Sequence, residues 1–198
     1  MKNASLFNAA SICLTAMDAV KDAPAFSAWT QDSRFIPLAG GSKPSHPLSE
    51  MQAKKKLEEI LKESDEKRNT FWFGIRTLDE SELLGITALT WVDWANGAVQ
   101  MDIVMKDLEE FGKDSAKEAI ALLENYVFHE IQMHRLSISL PAYNEGLLKT
   151  LESLGFKEEV RRREAVYRFG KRWDVYHCGI LASEWSSFSS AKDIRDIQ

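Results

Sequence analysis

Cysteine is nearly absent from this chain: two in 198 residues, Cys13 and Cys178, far apart in sequence. One distant pair is not a disulfide framework, so the sequence points to a reducing compartment, the cytoplasm. Proline and glycine are scarce too, at 5 and 10 residues, which excludes collagen-like and low-complexity chains. No run approaches the ~20 uninterrupted apolar residues of a membrane span. The best apolar helix, around Ile120 to Phe128, is broken by Glu124 and Asn125. The start, Met1-Lys2-Asn3 followed by Ser5 to Met17, mimics a signal peptide, yet Asn8 and Ser11 interrupt its apolar region and no small-residue cleavage site follows. A soluble protein with no membrane partner is expected. Positive charge is not in surplus either: 25 basic against 30 acidic residues leave a net charge of −5. Bulk electrostatics gives no grip on nucleic acid, so none is expected as a partner.

What is present is an ordinary globular composition, 44% apolar and 28% charged. At ~100–200 residues per domain, the length predicts one domain over residues 1–198, with a core at about residues 9–185 and a mobile polar tail at 186–198. Ile12 and Leu14 alternate with Ser11, Cys13 and Thr15, the period of a strand. A helix follows, with Asp22 as its cap, Pro24 in its first turn, and Phe26 and Trp29 on one face. Pro37 to Pro47, with Gly40-Gly41 and Pro44, has loop chemistry and reads as a candidate lid or substrate loop. Ser49 and Gln52 match a capping box and open a second helix that turns Leu57, Ile60 and Leu61 inward.

From Thr70 the period changes to two. Phe71 to Arg76, Leu83 to Val92 and Val99 to Met105 read as three antiparallel strands, the last two joined by Asn96-Gly97, a strong hairpin signal. Ala116, Ile120, Leu123 and Val127 then recur at helical spacing, followed by a strand at Leu136 to Leu140. A strand, a crossover helix and another strand make a βαβ-like unit, with the helix N-terminus at the carboxyl end of the first strand. Asn144 can cap the next helix, Leu147, Leu148, Leu151 and Leu154 face inward, and Gly155 stops it. Two last strands, about Val160 to Phe169 and Trp173 to Leu181, join at Gly170. The fold class is α/β, a mixed sheet of order β-α-α-β-β-β-α-β-α-β-β with antiparallel strands first and a parallel crossover in the middle.

That order, with the run Asn144-Glu145, Leu151 to Glu159, Arg163-Glu164-Ala165, Gly170-Lys171, Asp174 and Gly179-Ile180-Leu181, resembles the GNAT superfamily of acyl-CoA-dependent N-acyltransferases. Within it the chain looks like the ribosomal-protein N-terminal acetyltransferases of the RimJ/RimL type. The start, Leu14 to Asp18 through Trp29 and Asp32, fits as well. The resemblance implies a GNAT fold and an N-acetyltransferase that moves acetyl from acetyl-CoA to a primary amine by direct attack. It further implies that acetyl-CoA lies in an opening between the strands at Val99 to Met105 and Arg135 to Leu140. The pantetheine arm would pair with the backbone of Ile103, Val104 and Met105, and the pyrophosphate would sit on the turn before the following helix.

In the family that turn reads Gln/Arg-x-x-Gly-x-Gly/Ala; here it is Phe111-Gly112-Lys113-Asp114-Ser115-Ala116. Helix N-terminal N–H groups and a partial positive charge near +0.5 can hold a pyrophosphate without side chains. Ala116 fits, while Phe111 and Asp114 depart. A carboxylate ~4 Å from a phosphate at an effective dielectric near 20 costs about 4 kcal/mol per charge pair. Either Asp114 points to solvent or caps the helix while the backbone still binds phosphate, or the pocket has lost its cofactor. The second case makes the chain a GNAT-fold binding or regulatory protein.

Catalysis asks for a base and one oxyanion donor. Gln100, Asp102 and Val104 share one strand face, so Asp102 projects beside the backbone expected to hold the thioester; it is the first candidate base or water-positioning group, against a plain hydrogen-bonded strand aspartate. Asp93, between Trp91 and Trp94, is the second candidate. Leu151 and Leu147 stand where relatives often carry a tyrosine and a serine, so Tyr143 is the substitute acid. Asn144 binds the pantetheine amide or simply caps its helix. Phe71 to Phe73 and Trp91 with Trp94 line an acceptor pocket or belong to the core. Arg161 to Arg163 attract an acidic acceptor or the CoA 3′-phosphate, or form a solvated face. His129, His134 and His177 lack metal-ligand spacing, and His177 and Cys178 point to opposite strand faces, so no metal is expected. The expected partners are an amine-bearing small molecule or a protein N-terminus, and a second copy in a homodimer.

Overall fold

Alternating apolar residues build the sheet, and the computed structural model describes it through residues 6–32, 35, 46–67, 69–107 and 109–186. The candidate lid at Pro37 to Pro47 falls outside the described residues up to residue 45, as does the tail beyond Ser186. The elements run β1 (Ile12–Ala16), α1 (Ala19–Gln31), α2 (Glu50–Lys67), β2 (Phe71–Thr77), β3 (Leu83–Asp93), β4 (Ala98–Met105), α3 (Asp114–Asn125), β5 (Arg135–Pro141), α4 (Glu145–Ser153), β6 (Lys157–Arg168) and β7 (Lys171–Leu181). This is the order that periodicity predicts. A 3-10 turn at Glu109–Gly112 leads into α3 and a π turn at Tyr126–Glu130 follows it.

The seven strands lie in the order β1-β2-β3-β4-β5-β7-β6. Every neighbouring pair is antiparallel except β4 and β5, which are parallel because α3 carries the chain back across the sheet. On one face Met101, Ile103 and Met105 of β4 and Leu136, Ile138 and Leu140 of β5 pack under Ile120 and Leu123 of α3 and Leu147 and Leu151 of α4. On the other, Trp29, Phe35, Leu83 and Ile86 form a smaller cluster with Phe26 and Trp72. No helix of the described residues is long and apolar enough to cross a membrane.

Most helix ends follow the local signals. Ser49 and Gln52 exchange both capping-box bonds, at 2.9 and 3.3 Å. Asn144 accepts from the Leu147 N–H at 3.2 Å, and Gly155 takes φ +95° past the end of α4. The start of α1 is different: Asp18, not Asp22, is its cap, accepting from the N–H groups of Val20 and Lys21. Asp22 lies inside the helix because Arg76 draws it inward. The two form an ion pair, 1% and 3% exposed. Arg76 Nε also donates to Thr15 Oγ1 at 2.9 Å, and Asp22 Oδ2 accepts from the Asp18 N–H at 2.9 Å. One buried charge pair thus ties α1 to β1 and β2, with its remaining polar atoms partnered, the condition under which such a pair is tolerated.

Gly97 positions the functional end of the sheet. At φ +63° it makes the β3–β4 turn, and its carbonyl accepts from the N–H groups of His134 and Arg135 at 2.7 and 3.0 Å. An added Cβ there would lie 3.2 Å from the His134 nitrogen. The start of β5 is thereby pinned beside the start of β4.

Removing one partner of a buried ion pair leaves an uncompensated charge, so Asp22→Asn is predicted to destabilise the protein by about 3–5 kcal/mol, while Asp22→Leu combined with Arg76→Met recovers most of that loss. Urea unfolding of the single and double variants checks this; equal losses in both would refute the burial argument.

Candidate active site

The parallel ladder between β4 and β5 is short. It pairs Ala98 with Arg135, Val99 with Leu136 and Gln100 with Ser137, then ends. Ser137 Oγ adds a bond to the Val99 carbonyl at 3.2 Å. Beyond that point each strand stays fully paired on its outer side, β4 with β3 to Met105 and β5 with β7 to Pro141. The inner edges have no strand beside them. A bulge at Thr90, between Leu89 and Trp91 of β3, falls opposite the step from Gln100 to Met101. Bulges increase local twist, so β4 turns away from β5 where their ladder stops.

The divergence opens a cleft of about 450 Å³ between the two strands, within the usual size range of small-ligand sites. Ile103 and Val104 line it from β4, Ile138 and Ser139 from β5, and Asn144 with Leu147 from the start of α4. Among the described residues, Asp102 is the only side chain lining it that carries a formal charge. Its surface is open to the cleft, but protein surrounds the carboxyl on most sides. That partial loss of water raises its pKa, and a hydrogen bond with the Thr90 side chain pulls it partly back. The bulge residue therefore both turns the strand and contacts the carboxylate.

At the turn before α3, Phe111 and Ala116 are buried, at 1% and 0% exposure, and Thr150 Oγ1 donates to the Phe111 carbonyl at 2.9 Å. Gly112 lies in the 3-10 turn. Lys113 stands at the N-cap and makes no side-chain cap bond, in contrast to Asp18 at the start of α1, Ser49 at α2 and Asn144 at α4. Asp114 is exposed at the first helical position. A charge facing water interacts across 4 Å at only about 1 kcal/mol, rather than about 4, before salt screening. Glu110 closes the acidic stretch, with Asp107 and Glu109, that precedes this turn. It is buried, accepts from Ser115 Oγ at 3.1 Å and from Lys113 Nζ at 2.5 Å, and that bond raises the Lys113 pKa. Asp107 Oδ1 in turn accepts from the N–H groups of Glu109 and Glu110 at 2.9 and 3.0 Å.

Met105 is fully buried, at the end of β4. Asp93 lies at the paired end of the strands, away from the cleft, where the Asn96 amide donates to its Oδ2 at 2.7 Å and holds its carboxyl below the usual range. Tyr143 packs edge-on to Phe169 and Trp173, with ring centroids 5.5 and 5.7 Å away; burial raises its pKa against the lowering contact with Arg168. It does not line the cleft. Of the aromatic residues singled out in the sequence, Trp72 reaches the cleft, while Phe71 packs against Trp94 and Phe73 against Tyr126. Arg161 to Arg163 are exposed, and Arg161 Nε donates to Asp174 Oδ2 at 2.6 Å.

Sequence reading weighs His177 only as a metal ligand and does not join it to Ser139, yet the two hydrogen-bond each other beside the cleft. Their signal was indirect: Arg135, Ser137 and Ser139 put a polar row on a central strand whose other face is Leu136, Ile138 and Leu140.

A mixed sheet whose one parallel strand pair parts halfway, with α3 crossing between those two strands, defines the α/β class of this chain. The chain belongs to the acetyltransferase (GNAT) family, whose domain matches residues 11–157. Among curated relatives, "Probable N-acetyltransferase YjcK" of Bacillus subtilis is 32% identical over 103 residues, 51% of this chain and 56% of that protein. "Putative ribosomal N-acetyltransferase YdaF" of the same organism is 28% identical over 109 residues, 54% and 58% of the two chains. The matches thus span little more than half the length of these relatives. The spermidine N-acetyltransferase of Vibrio cholerae, solved in complex with CoA and spermine, superposes with a TM-score of 0.73 at 19% identity, over 88% of this chain and 98% of that one. A GCN5-related N-acetyltransferase from Brucella melitensis gives 0.72 at 20% identity, over 95% and 83%. At these identities the two structures establish the fold.

Two consequences of the Asp102 environment are measurable. Its pKa, followed by carboxyl-carbon NMR, is predicted to lie above the ordinary aspartate value and to rise further in Thr90→Val, because the lowering hydrogen bond is lost. An acid with a raised folded pKa favours the fold at low pH and loses that contribution as pH rises through the folded pKa. Asp102→Asn is therefore predicted to gain stability relative to wild type between acid and neutral pH. A Thr90→Val variant with a lower Asp102 pKa would contradict this assignment.

Proposed function

We propose that the protein is an acetyl-CoA-dependent N-acetyltransferase that moves acetyl to a primary amine by direct attack, without a covalent enzyme intermediate. The observation that carries this reading is the gap between β4 and β5 with Asp102 as its one charged side chain. Acetyl-CoA would be held along the unpaired edge of β4 at Ile103, Val104 and Met105, at Asn144, and on the turn formed by Phe111, Gly112, Lys113, Asp114, Ser115 and Ala116. The uncapped start of α3 and the exposure of Asp114 favour that fit. Bound there, it supplies a thioester carbonyl as electrophile and a thiol as leaving group.

The chain's own groups supply the rest. An amine enters as an ammonium ion and must lose a proton before it can attack. Asp102 is the base, and its raised pKa moves it toward the amine range, which makes the transfer less uphill. Backbone N–H groups near Ile103 and Val104 are the oxyanion donors. Ile86, Ala88, Leu147 and Val166 wall the cleft with apolar surface that excludes water from the reacting atoms. The acceptor is a protein N-terminus, in keeping with the ribosomal-type resemblance, or a small amine.

A second reading, a GNAT-fold binding protein without catalysis, is favoured by Glu110. That buried carboxylate sits on the side chains of Lys113 and Ser115 at the phosphate turn. Leu147 and Leu151 add no proton donor. Calorimetry separates the readings: acetyl-CoA binding at micromolar affinity supports the transferase, and no heat at millimolar ligand supports the second.

In the transferase, Asp102→Asn is predicted to lower kcat by about 10²–10⁴ while acetyl-CoA affinity is retained. Free-thiol release with a broad amine panel measures it. A wild-type protein that binds CoA normally yet releases no thiol with any amine would overturn the proposal.

A further inference from the structure

We infer that Ser139 and His177 form a proton relay for the reaction proposed above, an inference that rests on that reading. The two residues are direct partners across β5 and β7, and Ser139 Oγ lies 2.8 Å from His177 Nδ1. Behind them is a second cavity of about 380 Å³, walled by Gln100, Arg135, Ser137, Glu159 and His177. Ile138 and Ser139 line both this cavity and the cleft. Ser139 thus stands on the wall shared by the two spaces, with its hydroxyl on the His177 imidazole.

Proton counting gives the pair its task. The incoming ammonium loses one proton to Asp102, and water takes it away. When the N–C bond forms, the nitrogen becomes positive again and must lose a second. The C–S bond breaks with its electron pair going to sulfur, which needs one proton to leave as a thiol. Neither Leu147 nor Leu151 can give it. Ser139 Oγ accepts the proton from nitrogen as its own proton passes to His177 Nδ1, and the reverse transfer through the same hydroxyl delivers a proton to sulfur. The products are an amide and a thiol, and the relay ends as it began.

An imidazole suits both transfers, because one ring nitrogen can accept a proton while the other keeps its own, and the same nitrogen can hand it back. The groups around it do not spoil this. Arg135 and Glu159, in the same cavity, are paired with each other. Arg161 is held by Asp174 and lies over the Tyr176 ring. Cys178 is on the opposite face beside Glu158, and burial pushes its thiol up to about 11, so it neither competes as a base nor adds charge. Asp102 faces the pair across the cleft and carries the other proton.

The test compares wild type with His177→Gln, His177→Ala and Ser139→Ala, each checked for an unchanged thermal unfolding transition. The expected result is a fall in kcat of about 10²–10³ with KM for acetyl-CoA unchanged, loss of the acid limb of kcat/KM, and recovery of His177→Ala turnover by added imidazole. A His177→Gln enzyme with wild-type kcat and pH profile overturns the relay. A second measurement needs no turnover: imidazole NMR titrations of wild type and Ser139→Ala, with and without CoA and n-butylamine. The ligands are expected to move the His177 midpoint in wild type and to move it less in Ser139→Ala, with His134 unaffected in both. An unmoved His177 overturns the relay even if the protein proves to be a transferase. A moved His177 in a protein that releases no thiol overturns the transferase reading instead.

Discussion

Everything that gives this molecule a site follows from one interruption: β4 and β5 pair for three residues and then part. Backbone N–H and C=O groups need partners, and a sheet normally supplies them on both sides of a central strand. Here each strand is satisfied on its outer side only, so the inner edges face the cleft and can serve a ligand there. The gap is fixed at both ends. The Gly97 carbonyl holds the start of β5 through two N–H bonds, and the Thr90 bulge turns β4 away just where the ladder stops. Closing it would require the core under Met101, Ile103, Ile138 and Leu140 to repack.

Charge is handled differently in the two halves of the site. In the cleft the Asp102 carboxylate stands among largely apolar walls, and its partial desolvation raises its pKa. At the start of α3 the problem is an excess of acid, and two devices limit it. Asp114 is turned to solvent, where water and salt weaken its field. Glu110 is buried but bonded to Lys113 and Ser115, and Lys106 approaches it at 3.9 Å. The positive end of the helix is thus left without a side-chain cap even though the local sequence is acidic.

The polar row Arg135, Ser137 and Ser139 extends the site sideways. A central strand commonly buries apolar side chains on both faces, whereas β5 does so on one. The exposed half of its sheet face meets His177 and the Arg135–Glu159 pair. The cleft therefore has a hydrogen-bonding flank as well as an apolar floor.

The sequence by itself determined the elements, their order and the parallel crossover, because hydrophobic period, capping residues and turn glycines act within a few neighbours along the chain. The capping box at Ser49, the cap at Asn144 and the turn at Gly97 were all legible in this way, and so was the placing of Asp102 on the face of β4 that lines the cleft. The α1 cap was not, because Asp22 answers to Arg76, 54 residues away. Nor was the Ser139–His177 contact, which joins residues 38 apart. The burial of Glu110, the exposure of Asp114 and the packing of Tyr143 against Phe169 and Trp173 likewise follow only from the three-dimensional arrangement. Local rules say which face a residue occupies. Which charges and hydroxyls then meet, and how much water they lose, depends on which strands become neighbours and where their pairing ends.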